Sequence, residues 1–525
     1  MDTKALRQKI LDLAIRGKLV PQDPSDEPAS VLLERIRNEK QRLVAEGKLK
    51  AKDIKNDTII FVGDDSLHYE KFADGSVKCI EDEIPFDLPK GWTWARLSMV
   101  AEAIGDGDHQ PPPQTSSGIP FLVISNVSEG TLSFENTRCV CEDYYANLPE
   151  TRKPRNGDLL FTVTGSYGIP VVVDTDDKFC FQRHIAIIRP CIISNHYLHI
   201  VLGSPYVKSI CDEKATGTAQ KTVGLATLRE LLIPVAPYTE QMRIYVRTEA
   251  ALNIVNSVIS DKEDLQNILK ITKAKILDMA IHGQLVPQDP DDEPASILLA
   301  RIREEKEALI KQGKIKRDKK ESIIFRGDDN SYYEKMSDGR TRCIDDELPF
   351  ELPDGWEWCN LSMIGSTNIG LTYRPDDITP TGTMVLRSSN IVNDCIDLTD
   401  LVRVNTSIRD NQFVQKNDIL ICARNGSRAL VGKCAIIPAF TEPASFGAFM
   451  AVYRTEFHDY VIHFLRSELF RSIFADSNST AINQLTQDML KRAIIPLPPL
   501  AEQKRISTII DGMLGKLLEI EKSLT

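Results

Sequence analysis

The segment "GKLVPQDPSDEPASVLLERI" (Gly17–Ile36) returns as "GQLVPQDPDDEPASILLARI" (Gly283–Ile302), identical at 16 of 20 positions. In each copy a glycine closes one helical pattern, three prolines forbid its continuation, and a new apolar periodicity opens behind an acidic pair and a tolerated first-turn proline. The stretch is a helix-to-helix corner that the chain makes twice. Working outward, Lys9-Ile10-Leu11-Asp12 returns as Lys275-Ile276-Leu277-Asp278, and "IIFVGDD" (Ile59–Asp65) as "IIFRGDD" (Ile323–Asp329). "DEIPFDLPKGWTWARL", ending at Leu97, returns as "DELPFELPDGWEWCNL", ending at Leu361. The halves diverge over residues 98–227 and 362–489, then reconverge as "LRELLIPVAPYTEQMRI" (Leu228–Ile244) and "LKRAIIPLPPLAEQKRI" (Leu490–Ile506). Each half is a repeated frame around a variable insert.

The frame reads as helix. Ala251, Val255, Val258, Lys262, Leu265, Leu269, Thr272, Ile276 and Met279 alternate steps of four and three, the spacing of a coiled-coil seam. Ile506, Ile510, Met513, Leu517, Ile520 and Leu524 repeat it at the carboxyl terminus, and Leu6, Ile10 and Leu13 at the amino terminus. Glu240 to Gly283 is 44 residues, against 24 from Glu502 to Thr525 and 17 from Met1 to Gly17. The second long helix is thus expected to be split across the chain ends, giving two antiparallel rods on the order of 60 Å at 1.5 Å per residue. The helix after the proline corner carries Leu32, Leu33, Ile36 and Leu43 on one side and ends near Gly47; strands near Ile59–Phe61 and Tyr69–Phe72 follow it. This module is either a brace or a docking surface for another subunit. The expected fold is α+β: two mixed, strand-rich domains (92–237 and 356–498) separated by long antiparallel coiled-coil helices in a pseudo-twofold internal repeat. The helical regions are 1–91, 238–355 and 499–525.

Composition sets the outer limits. The chain has 525 residues, 42% hydrophobic and 26% charged, the balance of a globular protein with proper cores. "MDTKALRQKILDLAIRGK" lacks an apolar h-region and no apolar run of about 18 residues occurs, so no membrane association and a cytoplasmic location are expected. The 11 cysteines include no C-x-x-C pair and read as reduced thiols. A net charge of -11 argues against a generic polyanion binder but permits a local basic surface. All four tryptophans lie in "GWTW" and "GWEW"; their i, i+2 spacing predicts core anchors on one face of a strand.

The doubled "LVPQDPxDEPASxLLxRI", the doubled "LPxGWxWxxL" and the "IPxxPxxEQxRI" closing each insert resemble the specificity (S) subunits of type I restriction-modification systems. The resemblance spans essentially the whole chain. It implies two target recognition domains, each reading one half of an interrupted double-stranded DNA site, and helical regions that recruit two adenine methyltransferase subunits and the restriction subunits. Two other readings stay open: the specificity partner of a fused, type IIG-like restriction-methylation enzyme, and an assembly scaffold without DNA contact. Catalysis is expected elsewhere. No "NPPF" or "DPPY" clamp occurs, "GSRALVGKC" misses the phosphate-loop spacing, and the pairs His196/His199 and His458/His463 lack a further ligand in metalloprotease spacing. No cofactor or metal is expected on the chain itself.

Candidate base readers follow from hydrogen-bonding chemistry, since Arg suits guanine, Asn or Gln adenine, and acids cytosine. The loops of the first insert offer Asp108, His109 and Gln110; Thr164, Ser166 and Tyr167; Gln182, Arg183 and His184; and Thr218, Gln220 and Lys221. The second offers Thr372, Tyr373 and Arg374; Arg387, Ser388, Ser389 and Asn390; and Arg424, Asn425, Ser427 and Arg428. Any one of these side chains also suits a solvated loop or a turn.

Overall fold

The computed structural model describes residues 2–108, 112–217, 220–317, 321–475 and 484–524. It divides into two compact units, Met1–Asp261 and Lys262–Thr525. The class is α+β with the internal repeat expected, and no described helix is long and apolar enough to cross a membrane.

In the first unit the helix Thr3–Ile15 runs antiparallel to the first part of the 44-residue helix Tyr238–Ile281. Arg7 bonds Asn256 near one end, and Gln22, just past the other, bonds Glu240 at 2.8 Å. The corner at Gly17 has φ +61, and a Cβ there would sit 2.5 Å from the Pro89 ring and 3.0 Å from Trp92, so glycine alone lets the corner close. The next helix, Ala29–Ala45, is preceded by Pro28 and starts with the Ala29 N–H donating to Gly91 O at 2.8 Å. It buries Leu32, Leu33, Ile36 and Leu43, and a three-stranded antiparallel sheet (Ile59–Val62, His68–Lys71, Val77–Cys79) follows.

The corner is locked by a buried carboxylate. Glu240, 2% exposed, accepts from Trp92 Nε1 at 2.9 Å and from Gln22 Nε2 at 2.8 Å. Burial pushes its pKa up against the pull of the Trp92 N–H. The fully buried Gln241 donates to Ala236 O at 2.8 Å, and Arg243 grips Asp26. The second unit repeats every contact. Glu502 accepts from Trp356 at 3.0 Å and Gln288 at 3.2 Å, Gln503 donates to Pro498 O at 2.8 Å, and Arg505 holds Asp292 at 2.6 Å. Gly283 (φ +67) meets Pro353 and Trp356 as Gly17 meets their counterparts. The closing helix Leu500–Leu524 runs antiparallel to the last part of Tyr238–Ile281, with Lys273–Glu521 at 2.7 Å.

Each insert leaves and rejoins the frame through one strand pair. Thr93–Arg96 pairs antiparallel with Leu232–Val235, and Glu357–Asn360 with Ile494–Leu497. Beyond it, the first insert forms a sheet of β1 (Ala101–Asp106), β2 (Leu159–Thr162), β3 (Pro170–Val172) and β4 (Ile185–Pro190) in the order β1-β4-β2-β3, all neighbours antiparallel. The second forms β5 (Ser366–Ile369), β6 (Ile419–Cys422), β7 (Cys434–Ile436) and β8 (Met450–Arg454) in the order β5-β8-β6-β7. Their central strands are buried on both faces. Leu159 and Phe161 pack with helix residues Tyr197 and Leu198, while Leu160 and Ile187 pack with Leu122, Phe179 and Phe181. This accounts for runs such as "LLF" and "ILIC", which are continuously apolar where a half-exposed strand would alternate.

The tryptophan expectation needs one correction. All four are buried, but Trp92 precedes the strand and packs in the frame core, whereas Trp94 lies on it and packs with Ile60, Ile80 and Leu232. Period-2 alternation holds only where both residues are in the strand.

Removing one partner of the carboxylate should be costly. Trp92→Phe strands a buried Oε2, and Glu240→Gln turns an amide NH2 toward one of two donors. Each should destabilise the first unit by about 1–3 kcal/mol, read as a lowered denaturation midpoint, with Trp356→Phe doing the same to the second.

Candidate nucleic-acid interface

In the antiparallel sheet of the first insert, the ends of β1 and β2 and the start of β4 lie at one edge, and the loops leaving them are stitched together by backbone bonds. Arg183 N–H donates to Asp108 O at 3.1 Å, Val163 N–H to His184 O at 2.9 Å, and Gly165 N–H to Lys221 O at 3.1 Å. Gln182 N–H donates to Leu122 O at 3.0 Å, which brings the turn 123–126 alongside. The four candidate stretches of this insert therefore meet on one surface, as far as they are described. His109, Gln110 and Thr218 lie outside the described residues.

The second insert builds the same edge. Leu371 N–H donates to Phe446 O at 2.6 Å and Gly447 N–H to Leu386 O at 2.9 Å. Ala423 and Arg424 N–H both donate to Phe449 O, at 2.9 and 3.0 Å, and Leu485 N–H donates to Ala423 O at 2.7 Å. Its candidate loops around Tyr373, Arg387 and Arg424 converge here with Phe449 and Gln484.

At the opposite end of each sheet an ion pair on a buried aspartate holds the turn leading into the central strand. Arg189 clasps Asp158 through two bonds of 2.9 and 2.8 Å, and Asp158 also accepts the Arg155 N–H at 2.9 Å. Arg454 clasps Asp418 at 2.7 Å twice, and Asp418 accepts the Gln415 N–H at 2.7 Å. One end of the sheet is pinned by charge and the other carries the loops.

Burial sorts the candidates. Ser166, Arg183, Gln220 and Lys221 in the first insert, and Arg374, Ser389, Arg424, Ser427 and Arg428 in the second, are exposed. Gln182, His184, Tyr373 and Asn425 are half-buried at the same edge; burial and the neighbouring Arg183 push the His184 pKa down, favouring neutral imidazole. Asn425 donates weakly to Ser388 Oγ at 3.4 Å.

Five candidates are held by the protein itself. Asp108 is bound by Arg152 at 2.7 Å, so its carboxylate is spent. Thr164 is buried against the Thr222 hydroxyl at 3.2 Å. Tyr167 donates to Asp212 at 2.8 Å with Lys208 4.0 Å over its ring. Arg387 is paired with Asp400 at 2.8 Å. Asn390 is fully buried, accepting from Arg387 N–H at 2.8 Å and donating to Asp397 O and Asp400 O at 2.9 Å each. For Thr164 and Asn390 the expected base contact gives way to a structural role, because neither polar group reaches the surface.

Asn126 is the first insert's counterpart of Asn390, 6% exposed, accepting from Val123 N–H at 2.9 Å and donating to Glu135 O at 3.2 Å. It places the exposed Ser125 where the second insert has Ser389. Sequence reasoning missed Ser125, although laying "FLVISN" over "VLRSSN" would have found it. It also missed Phe449, 60% exposed, because a lone aromatic reads as core. The weighed histidines are structural: His199 meets Pro170 O at 3.2 Å and His196 stacks on Tyr245 at 4.2 Å. His463 is buried and held neutral, its pKa pushed down to about 3 by burial.

Comparison with known proteins gives this architecture a context. Residues 353–525 match the family model for the type I restriction modification DNA specificity domain. The specificity subunit of the Escherichia coli type I restriction enzyme EcoAI is 29% identical over 574 aligned positions, which cover 97% of this chain and 89% of that protein. The EcoEI specificity subunit, also from Escherichia coli, is 28% identical and covers 97% and 88%. A solved chain, described under the structural basis of complex assembly and conformational transition of the type I R-M system, shares the fold. It has a TM-score of 0.51 at 17% identity, covering 84% of this chain and 94% of that one. With the doubled frame and its two inserts, the chain is similar along nearly its whole length to specificity subunits of type I restriction enzymes.

Asn390→Ala separates structure from reading. It leaves the Arg387 N–H and the Asp397 carbonyl without their partner and Asp400 O with only Arg387 Nη2 at 3.4 Å, and should lower the stability of the second unit by about 2 kcal/mol. The loss should show in denaturant unfolding before any change in DNA preference is measured. A variant as stable as the parent that recognises a different sequence would restore Asn390 as a reader.

Proposed function

We propose that this chain reads a bipartite double-stranded DNA target, one half-site per insert, and orients the subunits that methylate and cut it. The observation that carries this reading is the edge of the two sheets: the same loop-bearing surface on the same repeated frame, furnished with different polar side chains. Identical scaffolds with different donors suit two half-sites of different sequence. The readers offered by the first insert are Ser166, Gln182, Arg183, His184, Gln220 and Lys221, with Ser125. Those of the second are Arg374, Ser389, Arg424, Asn425, Ser427 and Arg428.

The partners fit the frame. Apolar residues off the coiled-coil seam stand in solvent along the central helix, Val246 at 63%, Ile254 at 67%, Ile268 at 57% and Ile271 at 68% exposed, an unusual arrangement for a helix with no further partner. We assign this surface to two methyltransferase subunits, one per repeat, with restriction subunits completing a cytoplasmic complex. Phosphate neutralisation supplied partly by those partners is compatible with an acidic reader, since Lys and Arg on any subunit serve.

The repeated frame, which presents the same strand pair and the same packing surface to both inserts, makes each insert exchangeable. Methylome sequencing of cells carrying the system should show an interrupted motif, with half-site centres about one helical turn, roughly 34 Å, apart. Replacing residues 98–227 with the insert of another such subunit should change one half-site and leave the other half and the spacer as they were. A continuous motif, or a swap that alters both halves, would count against independent readers.

A further inference from the structure

We infer that Arg424, braced over Phe449, reads a guanine in the half-site recognised by the second insert; the inference deepens the bipartite reading above and rests on it.

Arg424 differs from the carboxylate-paired arginines of its insert, and among the described arginines of that insert it has the ring contact. Arg387 is spent on Asp400, Arg403 on Glu442 and Arg454 on Asp418. Arg424 is exposed and has no carboxylate partner among the described residues; its guanidinium lies over the Phe449 ring, 5.3 Å from the centroid. A ring face attracts the cation without accepting a hydrogen bond along the guanidinium edge, so the donor fork stays unspent. A carboxylate in the same place would have consumed it.

The ring is held out for this purpose. Phe449 is 60% exposed, while Phe446, three residues earlier, is fully buried. The turn carrying Phe449 is pinned by Gly447 N–H to Leu386 O at 2.9 Å and Met450 N–H to Gly447 O at 2.8 Å. It is tied to Arg424 by the two N–H bonds onto Phe449 O, and no room is left on its other side. A Cβ on Gly370 would lie 2.2 Å from Gly447 O. Arginine and ring are thus fixed to each other at the backbone before DNA arrives, which reduces the rotamer entropy lost on binding.

The position is also one at which the inserts differ. In the first insert the Val163 N–H bond to His184 O, counterpart of Ala423 N–H to Phe449 O, puts Thr164 and His184 at these two places, and Thr164 is buried against Thr222. An unspent, preset guanidinium at the loop edge matches the O6 and N7 acceptors of guanine in the major groove. The first insert has no such group there, so the two half-sites should differ at the base this position meets.

The test is selection of duplexes randomised across both half-sites on the assembled complex, with wild-type chain and three variants. The wild type should select guanine at one position of the half-site that stays with residues 356–498 when the first insert is exchanged. Arg424→Ala should cut that preference by about 5- to 150-fold and leave the other positions unchanged. Phe449→Ala keeps the charge and should reduce the same preference several-fold, with Phe449→Tyr restoring it. Uniform weakening on all sequences by Arg424→Ala, with a salt slope smaller by about 1, would make Arg424 a phosphate contact and overturn the inference. So would a bipartite selected motif without guanine in that half, or full discrimination by Phe449→Ala. If the wild type selects no bipartite motif, the underlying reading fails and the inference falls with it.

Discussion

The buried carboxylate at Glu240, and again at Glu502, is the constraint on which the architecture turns. It joins three segments far apart in sequence: the proline corner through Gln22, the start of the insert through Trp92, and the central helix that carries it. A charge taken out of water is tolerated only when hydrogen bonds replace its hydration. Here both oxygens have donors, and Arg243 on Asp26 adds a positive charge one turn along. The arrangement is directional as well as stabilising, because it sets where the insert leaves the helix.

From that lock the rest follows by attachment. The insert departs and returns through one antiparallel strand pair, and its helix residues Tyr197 and Leu198 share a core with Ala14, Ile15 and Leu32 of the frame. The base of each four-stranded sheet is then fixed by the Asp158–Arg189 or Asp418–Arg454 pair. Breaking the buried Asp158–Arg189 pair costs about 3–5 kcal/mol, and the half-buried Arg454 holds the buried Asp418 in the same way, so substitution is restricted at this end. At the far edge, side-chain bonds such as Asp108–Arg152, Arg387–Asp400 and those of Asn390 fasten individual turns. The loops are tied to one another by backbone bonds, which do not depend on side-chain identity, and this is where the two inserts carry different residues. Variation in recognition is physically separated from stability.

That separation explains what was legible beforehand. Repetition exposed the frame directly, and a 3.5-residue period picked out the shielded face of the central helix. Val255, Leu269 and Ile276 are buried, whereas the equally apolar Ile254, Ile268 and Ile271 are exposed. Periodicity was less informative at the carboxyl terminus, where Ile506 and Ile510 are buried but Met513 and Ile520 are 42% and 43% exposed; spacing does not say how far along a seam the shielding runs. The candidate loops meet at one sheet edge, because turn-rich polar segments after apolar strands mark such edges. Sorting within the set was beyond sequence reasoning. Asn390 and Arg424 are both polar residues in Ser- or Gly-bearing loops, and only the three-dimensional neighbours, Asp397 and Asp400 for one and Phe449 for the other, separate a turn fastener from an available donor.

The acidity of the chain fits the same division. Long-range attraction to DNA is sequence-independent and can reside on any subunit of an assembly, whereas discrimination requires donors and acceptors held in register with base edges. A reader studded with free cations would gain affinity for every sequence alike. Pairing Arg152, Arg387, Arg403 and Arg454 with carboxylates removes that contribution. Exposed groups such as Arg183, Lys221, Arg374 and Arg424, without a carboxylate partner among the described residues, are left at the loop edge that we propose faces the bases.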